Sequence, residues 1–175
     1  YDLLHKKEQD KIIQFPGRSL YPFIGLIKVL IDSYKASNIL DYGAGKGLQY
    51  KSIRPKLYRG RIFKSIKHYW GIDITCYDPG YKKFSNFPKN KFDGVISTDV
   101  LEHCPKDDMD WILNEMFTKS KKFIFCNIAS YPAKTILPNG KNAHITVESS
   151  KWWEKKIKKI SKTYPKIDYF FIIKK

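Results

Sequence analysis

Arginine is scarce in this chain. Of the 33 basic residues in 175, four are arginine (Arg18, Arg54, Arg59, Arg61), which leaves 29 lysines. Surfaces that read phosphates or base edges favour arginine for its planar, bidentate fork. The formal charge of +16 and pI near 9.6 therefore do not by themselves make a nucleic-acid reader. Lysine in that excess, beside many Ile, Asn and Tyr, matches the codon bias of an AT-rich genome. A solvated lysine-rich surface is the first expectation and a nucleic-acid partner the second. Cysteine is scarce too: Cys76, Cys104 and Cys126 are odd in number, far apart and outside any CxxC pattern. That excludes a disulfide framework and points to a reducing cytoplasm. Long apolar runs are missing. The best, Phe23 to Ile31, is broken by Lys28 and falls short of a span, so no membrane is expected as a partner. No secretory signal is visible, and the chain opens at Tyr1 rather than Met, which is consistent with a missing N-terminus.

With neither internal repeat nor low-complexity linker, residues 1–175 read as one domain long enough to bury a core. Residues 1–19 suggest a short helix and then a loop at "FPGRS". From Leu20, Phe23, Ile27, Leu30 and Tyr34 recur at helical spacing, with Ser19 and Pro22 as start signals. Residues 1–35 thus form an N-terminal helical cap on a core of residues 36–175. "NILDY" reads as a buried strand, and a helix starts at Leu48. The basic stretch 51–69 has no clear period and reads as an inserted loop. "GIDITCYD", "FDGVIS" and "KFIFCNI" read as three further strands. Helices are expected from about Asp107 to Lys119 and from Ser149 or Ser150 to Ser161, and "IDYFFIIKK" closes the chain as a strand. Strands alternating with helices predict an α/β domain with a largely parallel sheet.

The stretch "NILDYGAGKGLQY" carries the chemistry. Gly43, Gly45 and Gly47 alternate directly after the first strand, where ligands of open α/β sheets bind. A tight turn without a ligand needs one glycine; three let a ligand approach the backbone. Dinucleotide enzymes space their glycines GxGxxG and seat a pyrophosphate there. Here the spacing is GxGxG, and Asp41 stands two residues before the first glycine. That carboxylate would repel a pyrophosphate but attract an ammonium, and S-adenosylmethionine offers an ammonium, a sulfonium and no phosphate.

At these residues the chain resembles the class I S-adenosylmethionine-dependent methyltransferases. "DYGAGKG" is similar to their first motif and "CYDPG" to their second, and "FDGVISTDVLEH" resembles their fourth strand and the loop after it. The resemblance covers roughly residues 36–175. It implies a Rossmann-like sandwich with a mostly parallel sheet and helices on both faces. It also implies a cofactor site of Asp41, Gly43, Gly45, Gly47, Asp78, Ser97, Thr98 and Asp99, with Asp78 on both ribose hydroxyls. Two departures stand out. No acidic residue follows a third strand to meet adenine, so Asn86 or backbone near it is expected to substitute. One strand, where the family has an antiparallel pair, follows the last helix, so the C-terminal pair is incomplete.

Asp99, Glu102 and His103 form a D-x-x-E-H run, and His144 lies in "GKNAHITVESSKWW". Carboxylates with neutral imidazoles suit a divalent metal. Similar E-x-x-E-H runs with a later histidine occur in metal-dependent RNA 2′-O-methyltransferases. The competing reading makes "VLEH" structural: Leu101 packs inward, Glu102 caps or lines the pocket, and His103 bonds backbone. His144 is well placed as a general base, since an imidazole of pKa about 6.5 takes a proton from a hydroxyl or amine. His144 with Asp99 or His103 is thus the expected catalytic group. Of Trp152 and Trp153, one is expected in the core and the other at a cleft edge. Cys104 precedes Pro105, the reverse of the Pro-Cys of cytosine-C5 enzymes, and reads as an ordinary thiol. The Asn/Asp-Pro-Pro-aromatic motif of amino-methylating DNA enzymes is absent. The expected function is methyl transfer to a hydroxyl or amine of a small molecule. The alternatives are a methyltransferase-like RNA or nucleotide binding module without transfer, and a metal-dependent RNA 2′-O-methyltransferase. The oligomeric state is not legible.

Overall fold

The computed structural model describes residues 17–51, 56–58 and 61–175. Five parallel strands form the central sheet: β1 (Asn38–Tyr42), β4 (Asp73–Tyr77), β5 (Phe92–Thr98), β6 (Ser120–Ala129) and β7 (Asp168–Lys174), in the order β4-β1-β5-β6-β7. Side chains alternate across a strand, and both faces of the inner strands are apolar, as a sheet covered on both sides requires. Ile39, Ile96, Phe123 and Phe125 turn to one face, against helices α1 (Ile24–Ser33) and α3 (Ile66–Trp70). Leu40, Val95, Ile124 and Cys126 turn to the other, against α4 (Met109–Lys119) and α5 (Ser150–Ser161). The α/β sandwich is as expected, and its main sheet is wholly parallel.

Two local expectations are corrected. First, the stretch 51–69 is not a loop. It holds an antiparallel pair, β2 (Lys56–Tyr58) with β3 (Arg61–Phe63), and then α3. The Ser65 hydroxyl caps α3 by accepting the His68 amide, Gly71 ends it with φ 69°, and Ile66 and Trp70, four residues apart, supply its buried face. Five residues are too few for a period to show. Second, Ser19 does not cap α1. The chain enters through a 3-10 turn, Arg18–Phe23, and the Ser19 hydroxyl crosses to the carbonyl of Thr98 at 3.2 Å. The helix expected from Leu48 is α2, described over Leu48–Lys51. Between β4 and β5 the described residues form a 3-10 turn, Lys82–Phe84, and among them β4 is an edge strand of the sheet. The short helix expected within 1–19 lies largely outside the described residues. The C-terminus carries the single strand β7, paired directly and in parallel with β6. Trp153 is fully buried, while Trp152 lies half-buried between the ammonium groups of Lys106 and Lys156, each 5.4 Å from its ring.

Candidate active site

The glycine loop at the end of β1 is held from two sides. The amides of Gly43 and Ala44 donate to the Tyr77 carbonyl at 2.8 and 3.0 Å, which ties the loop to β4. Gly43, Gly45 and Gly47 all have positive φ (84°, 55° and 63°), a region L-residues rarely occupy. At Gly43 a Cβ would also stand 2.5 Å from both methyls of Val100. The loop therefore packs flush on the turn that follows β5.

Asp41 lies under this loop and is almost fully buried. Its Oδ2 accepts from Tyr50 Oη at 2.8 Å and Gln49 Nε2 at 3.1 Å, while Oδ1 carries no hydrogen bond among the described residues. Burial pushes the carboxyl up to about 6; the bonds from Tyr50 and Gln49 oppose that rise, and the charge of Asp78 adds to it. A carboxylate in that position gains from a cation. Gln49, also buried, uses its Nε2 on Asp41 and on the Ala44 carbonyl, and its Oε1 has no hydrogen-bond partner among the described residues.

Asp41, Gly43, Gly45, Thr98 and Asp99 border one cavity of about 330 Å³, and so do His103 and His144. Gly47, Asp78 and Ser97 do not border it. Asp78 is fully buried, with Oδ2 accepting the Gly45 amide at 2.7 Å and Oδ1 the Gly80 amide at 2.9 Å. It clamps the glycine loop to the turn after β4. Ser97 is buried between β5 and its neighbours. Asn86 is exposed and away from the cavity. Cys104 Sγ points to the Val100 carbonyl at 3.5 Å, and burial pushes its thiol up to about 12, which leaves it inert as a nucleophile near neutrality.

Across the cavity from Asp41 stand two imidazoles, with ring centroids 4.8 Å apart and planes at 82°. His144 Nδ1 lies 2.6 Å from the Tyr131 carbonyl and His103 Nδ1 lies 2.8 Å from the Ala143 carbonyl. A carbonyl only accepts, so each neutral ring carries its proton on Nδ1 and its lone pair on Nε2. Burial, with His144 alongside, holds the His103 imidazole below its ordinary value. Asn142 fixes the loop that brings His144 in. Its Oδ1 accepts the Ala133 amide at 2.8 Å and the His144 amide at 2.9 Å, and its Nδ2 donates to the Ala133 carbonyl at 2.8 Å. Asp99 sits at φ 63°, a left-handed conformation that non-glycine residues rarely adopt and that clusters at functional sites.

The expected metal set of Asp99, Glu102, His103 and His144 is corrected. Among the described residues no three His, Cys, Asp or Glu side chains could hold one ion. Glu102 is fully buried, does not border the cavity, and uses Oε1 to accept the Ala129 amide at 2.7 Å. Burial and the charge of Asp99 raise its pKa, favouring the neutral acid over a ligating carboxylate.

The sequence reading missed the third wall of the cavity. Gly17, Arg18 and Ser19 form part of it, as do Gln49, Ala133, Thr135 and Ala143. Gly17 has φ 69°, and a Cβ there would fall 2.2 Å from Gln49 Oε1, so Gly17 lies directly on the cofactor-side helix. A polar residue two positions into that helix, Gln49, was the available signal. Arg18 is exposed at the rim, with no ion-pair partner among the described residues.

Comparison with known proteins adds one finding: a family model described as a methyltransferase domain matches residues 14–155. No curated protein and no solved structure matches.

Proposed function

The chain belongs to the class I S-adenosylmethionine-dependent methyltransferases, and from that premise we propose that it methylates a hydroxyl or amine of a small molecule with His144 as general base. The residues fit the cofactor. Asp41 presents a buried carboxylate oxygen without a hydrogen bond to the cavity, and the Gly43 backbone makes a cradle that a Cβ would fill. Asp41 would hold the ammonium, and Arg18 at the rim would face the carboxylate. Asp78, fully buried and outside the cavity lining, would shape the cofactor's seat by holding the Gly45 and Gly80 amides rather than by touching the ribose. When bound, S-adenosylmethionine supplies a methyl group on sulfonium sulfur, open to in-line displacement.

The observation that carries the acceptor reading is the state of His144. It is buried, its Nδ1–H is held on the Tyr131 carbonyl, and Asn142 grips its amide, so the lone pair stays on Nε2 in the cavity shared with Asp41. Nε2 takes the proton that the acceptor loses as its oxygen or nitrogen becomes methylated. Asp99, on the same cavity, orients the acceptor. Most of the acceleration comes from holding the reactants in line, and base assistance contributes about 10²–10⁴-fold. The presence of a base in the cofactor's own cavity is what favours transfer over a binding module.

The test is His144→Ala, assayed with labelled S-adenosylmethionine against a panel of alcohols and amines. S-adenosylhomocysteine affinity should stay near the parent's while turnover falls by the factor above. Unchanged turnover on the true acceptor would remove His144 from the reaction.

A further inference from the structure

The loop that walls the acceptor side of the cavity has its polarity reversed. From Ala143 to Val147 the small and polar side chains face inward: Ala143, His144 and Thr146 are buried. Ile145 and Val147 stand 42% and 41% exposed. An ordinary solvated segment would place them the other way round. The orientation is fixed, because the Thr146 amide donates to the Glu102 carbonyl at 3.0 Å and its hydroxyl to the Cys104 carbonyl at 2.7 Å. Two more apolar side chains flank this edge. Ile136, bridged to Asn142, is 58% exposed, and Tyr131, whose carbonyl holds His144, is 41% exposed. Lys134 and Lys141, in the same loop, are exposed and have no ion-pair partner among the described residues.

A concentration of exposed apolar side chains marks a contact surface. We propose that this rim docks on an anionic lipid surface, so that the mouth of the cavity faces lipid headgroups. Of these four apolar side chains only Tyr131 offers a π face for stacking bases, and Ile136, Ile145 and Val147 offer none, which disfavours a nucleic acid here. They do suit hydrocarbon, and Lys134 and Lys141 on a chain of +16 suit anionic headgroups. No helix among the described residues is long and apolar enough to cross a membrane. Docking needs none, so the expectation of no membrane partner, drawn from the lack of a span, does not bear on it. The docking stands apart from the acceptor reading.

The experiment is co-sedimentation of the full chain with vesicles of phosphatidylcholine, alone or mixed with phosphatidylglycerol. Calorimetry with S-adenosylhomocysteine runs in parallel. The parent should bind the mixed vesicles and leave pure phosphatidylcholine largely unbound. Ile136→Ser and Ile145→Ser should each weaken binding about fivefold, as half-burial of an isoleucine implies. Lys134→Ala and Lys141→Ala should each cost a similar factor, about fivefold. These positions are exposed, so cofactor binding should be unchanged in all four variants. Failure of the parent to bind mixed vesicles overturns the proposal. So does binding that ignores both isoleucine substitutions, which would be lysine attraction alone. A dimer in light scattering that the same substitutions dissolve would assign the rim to a second copy and also overturn it. Vesicle binding without S-adenosylhomocysteine binding would leave the docking intact and refute the cofactor site instead.

Discussion

Cofactor binding should fall with acid, and Asp41 sets where. Its carboxyl titrates at about 6 in the free protein because burial disfavours the charge. An ammonium placed against it favours the charge, so the complex holds this proton less tightly than the free protein does. Binding therefore releases a proton between the two values and weakens as pH drops through about 6. If only ionised Asp41 binds, affinity at pH 5 is about tenfold below its plateau above pH 7. The α-amino and α-carboxyl groups of S-adenosylhomocysteine do not titrate in that interval. The same shift acts on folding with a definite sign. The native state binds the Asp41 proton more tightly than the unfolded chain, so this contribution is full below pH 4 and is lost as pH rises from about 4 to 6. A shift of that size is worth about 3 kcal/mol. Asp41→Asn should thus be the more stable protein at pH 7 and show no such loss, while binding S-adenosylhomocysteine weakly at every pH. Calorimetry at pH 5, 6 and 7.5, in buffers of different ionisation enthalpy, reads both affinity and released protons; denaturant unfolding of parent and variant reads stability. Affinity flat from pH 7.5 to 5 in folded parent, or the same slope in Asp41→Asn, would refute the assignment and move the titration to another group.

Asn142→Ala should lower turnover at least tenfold, with S-adenosylhomocysteine affinity unchanged, because the clasp that presents His144 is lost; a matching loss of cofactor affinity would show that the loop serves both ligands. Gly43→Ala should destabilise the fold by about 1–3 kcal/mol, from positive φ and the collision with Val100; unfolding in urea measures it, and an unchanged midpoint contradicts the packing described. Asp78→Asn sets an amide against the Gly45 or Gly80 amides and should weaken S-adenosylhomocysteine by about tenfold or more; equal affinity would show that this clamp does not shape the cofactor's seat. EDTA should leave turnover unchanged, because Glu102 is committed to the Ala129 amide rather than to a shared ion; activity lost to EDTA and restored by a divalent ion would falsify the reading of that carboxyl.

Much of the fold is written locally. The β-branched and aromatic runs that become β1, β4, β5, β6 and β7 are short, largely apolar segments between turn signals, and the covered faces of the inner strands follow from consecutive apolar residues such as Ile39 and Leu40, Val95 and Ile96, and residues 123–126. The glycine loop was legible because positive φ has few chemical solutions, and all three glycines take it. Asp41 was legible because two residues of separation fix it at the strand's end. What the sequence could not state is direction. The residues of "DVLEH" lie close along the chain, but Glu102 turns inward to Ala129 while Asp99 and His103 turn to the cavity. Only the packing of the turn against β6 decides that, and it separates a metal cluster from an imidazole base. His103 and His144 are 41 positions apart, yet their rings touch because Asn142 and Thr146 fold the intervening loop back onto 101–104. The same holds for "GRS" (17–19): nothing in its composition marks a cavity wall, and it becomes one because Gly17, lacking a Cβ, can lie on Gln49. Local chemistry sets strand, loop and candidate groups; long-range packing sets which of those groups face one another.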